Sequence, residues 1–151
     1  MKALTHRLVL MLAIGTASFA TTVPAAADDF PLVAGDYWDV TGIHIKDGGG
    51  LAYATFLAGE WRKDQEFAKS KGWIKGHYIL GNSYPRKGEA NLYLITITDR
   101  LVTGPEGEKR QAEYMEWKKK TLSQMDKESG DRLEIREVLG DQLLQELKFR
   151  K

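Results

Sequence analysis

Apolar positions change period along this chain, and each change marks an element. Over residues 37–46 they alternate: Trp38, Val40, Gly42 and His44 fall on one face, and Tyr37, Thr41, Ile43 and Ile45 on the other. That two-residue period predicts a β-strand, and its two partly apolar faces predict cover on both sides of the sheet. Asp47-Gly48-Gly49-Gly50 breaks the pattern. Residues 51–71 then lack proline and place Leu51, Ala54, Leu57, Ala58, Trp61 and Ala68 at helical spacing, with Tyr53, Phe56 and Phe67 widening the apolar surface. Glu60, Arg62, Lys63, Asp64, Glu66 and Lys69 fill the other side, and Gly72 stands where a helix stops.

Residues 73–84 and 91–98 are both rich in strand formers, and Pro85-Arg86-Lys87-Gly88-Glu89-Ala90 joins them as a hairpin. The second member, Leu92-Tyr93-Leu94-Ile95-Thr96-Ile97, is nearly continuous in apolar character and belongs in the middle of a sheet. After Gly104-Pro105-Glu106-Gly107, residues 108–128 predict one further helix with a thin stripe of Ala112, Met115, Leu122 and Met125. Residues 133–139 fit either a short helix or a strand. Gly140-Asp141 punctuates them, and residues 143–149 predict a last strand with Leu143, Leu147 and Phe149 on its inner face.

The order strand, helix, strand, strand, helix, strand predicts an α+β domain: a four-stranded antiparallel sheet with both helices on one face. Carried by residues 37–45, 51–71, 73–98 and 143–149, this order resembles the ferredoxin-like superfamily and, within it, the dimeric α/β-barrel proteins. The resemblance rests on element order and two-faced strands and includes no diagnostic motif. It implies a homodimer whose open sheet faces are shared.

The first 27 residues carry a different pattern. Lys2 and Arg7 precede an apolar run over residues 8–20, and Pro24-Ala25-Ala26-Ala27 offers a small-residue cleavage site. This predicts a signal peptide cut after Ala27, and a periplasmic or secreted protein. The apolar run is shorter than the roughly 20 residues a spanning helix needs, so no stable membrane anchor is expected after cleavage. The expected organisation is a signal over 1–27, an extended lead-in over 28–36 and a single domain over 37–151.

Removing residues 1–27 leaves 124 residues and takes the formal net charge from +1 to −1. A near-neutral chain lacks the basic footprint of a nucleic-acid binder, and Lys118-Lys119-Lys120 is interleaved with Glu113, Glu116 and Glu128. With no cysteine, the domain has neither disulfides nor thiol chemistry, and lipid attachment at the cut is excluded.

Beyond the signal only His44 and His77 remain, one on each of the first two predicted strands. In the resembling fold another strand separates these two, so the histidines stand roughly 10 Å apart at about 4.8 Å per step, too far to share a metal. No metal-ligand motif is present, so neither metal nor cofactor is expected. His44 is the candidate general base, against the plainer reading of a histidine with a structural partner. Trp38, Trp61, Trp73, Tyr78, Tyr93 and His77 are candidate ligand-binding residues. Core or interface packing explains the same aromatic side chains. Gly48-Gly49-Gly50 is a possible anion loop but lacks diagnostic spacing and reads more simply as a crossover. Glu60 and Asp64, one helical turn apart, read as solvated acids.

The expected function is an exported dimeric domain that binds a small apolar molecule or a protein partner without transforming it. The alternative is an enzyme: the resemblance implies that cofactor-independent oxygenase or isomerase chemistry is within reach. A purely structural envelope protein is a third reading.

Overall fold

The computed structural model describes residues 30–151. The predicted signal peptide lies outside them, and everything below concerns the unit Pro31–Lys151. In chain order the elements are β1 (Leu32–Ile45), α1 (Gly50–Phe56), a π-helical turn (Leu57–Trp61), α2 (Arg62–Ser70), β2 (Gly76–Gly81), β3 (Leu92–Thr98), α3 (Pro105–Lys118), α4 (Leu122–Asp131), a 3₁₀ turn (Arg132–Glu134) and β4 (Arg136–Phe149). The strands form one antiparallel sheet in the order β2-β3-β1-β4. Its α+β class and interior β3 match the expectation from the sequence.

Register divides the sheet side chains into two sets. Ile43 pairs with Leu92, and Thr41 with Leu94 and Asp141. This set faces the helices, where Ile43, Tyr53 and Leu57 form the buried core against Phe56, Trp61, Leu92, Leu94 and Ile135. On the other side stand Trp38, Val40, Tyr78, Leu80, Tyr93, Ile95, Ile97 and Leu144. Among the described residues no helix packs there.

Several boundaries differ from the sequence expectation. β1 begins at Leu32 rather than Tyr37, because β4 is long enough to pair with it from Leu32↔Phe149 onward. Gly35 sits where the register shifts, and its missing Cβ leaves room for Glu146, whose Oε2 would lie 2.8 Å from such an atom. The buried stripe of the first helical segment is Tyr53, Phe56 and Leu57, whereas Leu51 is 83% exposed and Ala54 and Ala58 face solvent. A short Ala stripe fits helical spacing equally well, but only the larger side chains reach the sheet. Gly72, with φ +68°, ends α2 as expected, and the Trp73 amide donates back to the Ala68 carbonyl at 2.9 Å.

The single helix expected over residues 108–128 is two helices. Lys119 adopts a left-handed conformation (φ 57°), and Thr121 restarts the chain with a capping box in which its side chain accepts from the Gln124 amide. The ambiguous residues 133–139 contain the end of the 3₁₀ turn and the start of β4. The strand then continues through Gly140, where a register shift opposite Gly42 and Ile43 absorbs the irregularity. Leu143, Leu147 and Phe149 share a face, as expected, but remain exposed because the helices stop short of β4.

α3 is held against α2 by both packing and charge. Phe67 stacks on Trp117 with centroids 4.3 Å apart, and Lys118 Nζ lies 2.6 Å from Asp64 Oδ1 and 3.3 Å from Glu60 Oε2. Glu60 is solvated as expected, with its side chain 50% exposed, and also pairs with Lys118, whereas Asp64, 22% exposed, is an ion-pair anchor rather than a solvated acid. Burial pushes the Glu60 carboxyl up, but Lys118 and Lys120 together bring it below its ordinary value. The Tyr114 hydroxyl, buried beside Asp64 and hydrogen-bonded to it, is pushed well above the usual tyrosine range.

Candidate functional site

The open face of the sheet carries the strongest site geometry. Gly42 of β1 is the register partner of Gly140 in β4, so two adjacent positions on neighbouring strands have no side chain. Gly140 is open, whereas Gly42 is buried with the Ala90 methyl 3.3 Å from where its Cβ would stand, so the floor is Gly140 and Ala90. Tyr93, Val40 and Gln142 wall a cavity of about 340 Å³ above it, and an adjoining cavity of about 460 Å³ continues towards His44 and Glu137. Gly88, Glu89 and Leu139 line both cavities, which together form one groove.

The rim of the groove is fixed by Asn91. Its Oδ1 accepts from the Ile45 amide at 2.9 Å and its Nδ2 donates to the Ile45 carbonyl at 3.2 Å, while the Asn91 amide donates to the Ile43 carbonyl at 3.0 Å. One side chain thus substitutes for a strand neighbour and pins the 85–90 connection beside β1. Within that connection the Arg86 amide donates to Glu89 Oε2 at 2.9 Å, and Arg86 Nε donates to Glu89 Oε1 at 2.7 Å. The Arg86 guanidinium holds the Glu89 carboxyl below its ordinary range.

The sequence-selected residues separate into three places. Trp38 and Tyr78 stack on the open face with centroids 6.2 Å apart, and Tyr93 stands on the same face in the groove wall. His44 lines the groove, solvent-exposed, as the register partner of Glu137. His77 lies on the opposite face, edge-on to Trp61 with centroids 5.3 Å apart, and its Nδ1 is buried without a hydrogen-bond partner among the described residues. Trp73 belongs to the seam between α2 and α3, edge-on to Phe67 and beneath the Arg110 guanidinium. The six residues expected around one ligand therefore do not share a pocket: only Trp38, Tyr78 and Tyr93 share a face with His44.

The two histidines are separated by the thickness of the sheet, a stronger separation than strand order alone implies. Among the described residues no group of three or more histidine, aspartate and glutamate side chains is arranged to hold a metal. No described helix is long and apolar enough to cross a membrane.

Sequence reasoning missed Glu137, Asn91 and the Gly42–Gly140 pair. Gly42 and Gly140 were visible as glycines within strand-like runs, a signal of close approach or an uncovered strip. Their pairing depends on the register between β1 and β4, which lie at opposite ends of the chain.

Comparison with known protein families, with curated proteins and with solved structures finds no match.

Proposed function

We propose that this protein is an exported, ferredoxin-like domain that pairs with a second copy of itself through the open sheet face, in the manner of a dimeric α/β barrel. The pair encloses the groove and binds a small, fairly apolar molecule without transforming it. The observation that carries this reading is the open face: Tyr78, Leu80 and Leu144 are 52%, 51% and 51% exposed there, around the Trp38–Tyr78 stack. A contiguous apolar surface of this kind marks an interaction site. The order β2-β3-β1-β4 and the placement of every described helix on the other side support the ferredoxin-like assignment. Among the described residues, strands β2 and β4 each leave an unpaired edge of the sheet, where a second copy can add hydrogen bonds. The N-terminal address pattern supports a periplasmic or secreted location.

A ligand here meets Tyr93, Val40 and the floor of Gly140 and Ala90 on its apolar side and the Glu89 and Gln142 region at its polar edge. A second reading, catalysis by a cofactor-independent oxygenase or isomerase, draws on one observation: His44 lines the groove beside its cross-strand neighbour Glu137. A carboxylate next to an imidazole can orient it as a base. Native mass spectrometry of protein purified from its own host tests the binding reading. A dimer carrying a retained small molecule is expected, and loss of that molecule on Tyr93→Ala assigns it to the groove. Protein free of any bound molecule, as purified and after exposure to apolar extracts of the host, would remove the binding reading.

A further inference from the structure

A buried cation without a counter-charge lies on the helix side of the sheet. Arg136, at the start of β4 and opposite Ile45, is 7% exposed and lies over the Tyr53 ring of α1. We infer that Arg136, Arg132 and Ser129 form a second binding site, one that takes a phosphate group, either the free ion or a small monoester.

The unfilled donors decide the ligand class. Arg136 makes one side-chain hydrogen bond, from Nη2 to Ser129 Oγ at 3.4 Å, while its Nε and Nη1 are buried with no partner among the described residues. Those two nitrogens carry most of the guanidinium donors. Arg132 repeats the pattern, with its Nε buried and unpartnered among the described residues. The two guanidiniums cover neighbouring rings, Arg132 4.3 Å from the Phe56 centroid and Arg136 5.9 Å from that of Tyr53, and both charges act on the Tyr53 hydroxyl. A ring face balances part of a positive charge and leaves the in-plane N–H groups without an acceptor. Arginine cannot shed its proton, so burial leaves it charged, and a buried charge without a partner is costly. An oxyanion supplies the missing charge and the missing acceptors at once.

The acids nearby do not fill that role. Glu128 pairs with Lys120 and Asp131 with Lys127, while Glu134 and Glu137 are exposed. Two arginines without an ion-paired acid match a phosphate, with a charge of about −1.5 to −2 at pH 7, better than a single carboxylate. Ser129 accepts from Arg136 and keeps its own hydroxyl hydrogen to donate. Ser129 and Arg132 are half-buried, and the ligand enters past them.

This site shares no residue with the groove or the open face, so it stands or falls independently of them. The test is titration of the purified protein with inorganic phosphate, methyl phosphate and acetate at fixed ionic strength, followed by the ¹⁵N–¹H signals of the arginine Nε groups. At least one phosphate should shift Arg132 and Arg136 saturably, and acetate should bind about tenfold or more weakly. Which of the two phosphates binds separates the free ion from an esterified ligand. Arg132→Gln, at the rim, should weaken phosphate by about tenfold or more, with circular dichroism confirming the fold, and Arg136→Met should abolish binding. No saturable shift of either arginine by the phosphates, acetate binding as tightly as phosphate, or full phosphate binding in either folded variant would overturn the proposal.

Discussion

Trp38 and Tyr78 stack 6.2 Å apart with their rings 13° from parallel, although they stand on β1 and β2 with β3 between them. Their β3 register partners, Ile97 and Ile95, are buried on the same face, while Tyr78 itself stays 52% exposed. Because Trp38 and Tyr78 would occupy the centre of the proposed dimer contact, a Trp38→Ser and Tyr78→Ser double variant should weaken self-association by about 30-fold or more. Sedimentation velocity across a concentration series measures this. An unchanged dimer in the double variant would move the contact elsewhere.

Lys118 carries a different load. Its side chain is only 12% exposed and sits between Asp64 and Glu60, tying α3 to α2. Removing the cation leaves Asp64 without its ion pair beside the Tyr114 hydroxyl, and Glu60 with Lys120 alone at 3.5 Å. Lys118→Met should destabilise the fold by about 1–3 kcal/mol, between the limits for exposed and fully buried pairs, as read from urea unfolding.

The start of α4 gives two opposed predictions. Thr121→Ala removes the cap to Gln124 and should cost about 1 kcal/mol. Lys119→Gly relieves a left-handed conformation at a non-glycine residue and should stabilise by about 0.5–1 kcal/mol, since glycine adopts that region freely. Thermal unfolding of the two variants should shift the melting temperature in opposite directions.

Asp39 makes stability depend on pH in the less common sense. Its folded-state pKa lies above the unfolded value, so the folded protein holds the proton to higher pH, and stability falls as pH rises from the unfolded towards the folded value. Above that window the penalty is fully present. Asp39→Asn should therefore raise the melting temperature at pH 7 and change it little at pH 3. An equal shift at both values would show that the carboxylate charge is not the cause.

How much of this was legible in the sequence depends on the distance over which each feature is decided. The alternation in β1, the Gly72 stop and the apolar run of β3 are local and were read directly. The Thr121-x-x-Gln124 box was also local, but the uninterrupted helix formers around it obscured the break. The extension of β1 to Leu32 was hidden because only pairing with Phe149 makes Leu32 a strand residue. The candidate site was least legible. Strand parity placed Trp38 and His44 on one face, whereas Trp61 and Trp73 could be assigned to the helix side only after the helices were seen to cover it.

The central claim is that the open sheet face is covered by a second copy of this chain. Sedimentation equilibrium of the purified protein at tens of micromolar tests it most directly. The account predicts a mass twice that of one chain, falling to one chain when Trp38 and Tyr78 are both replaced by serine. A single-chain mass for the unaltered protein at high micromolar concentration would contradict it.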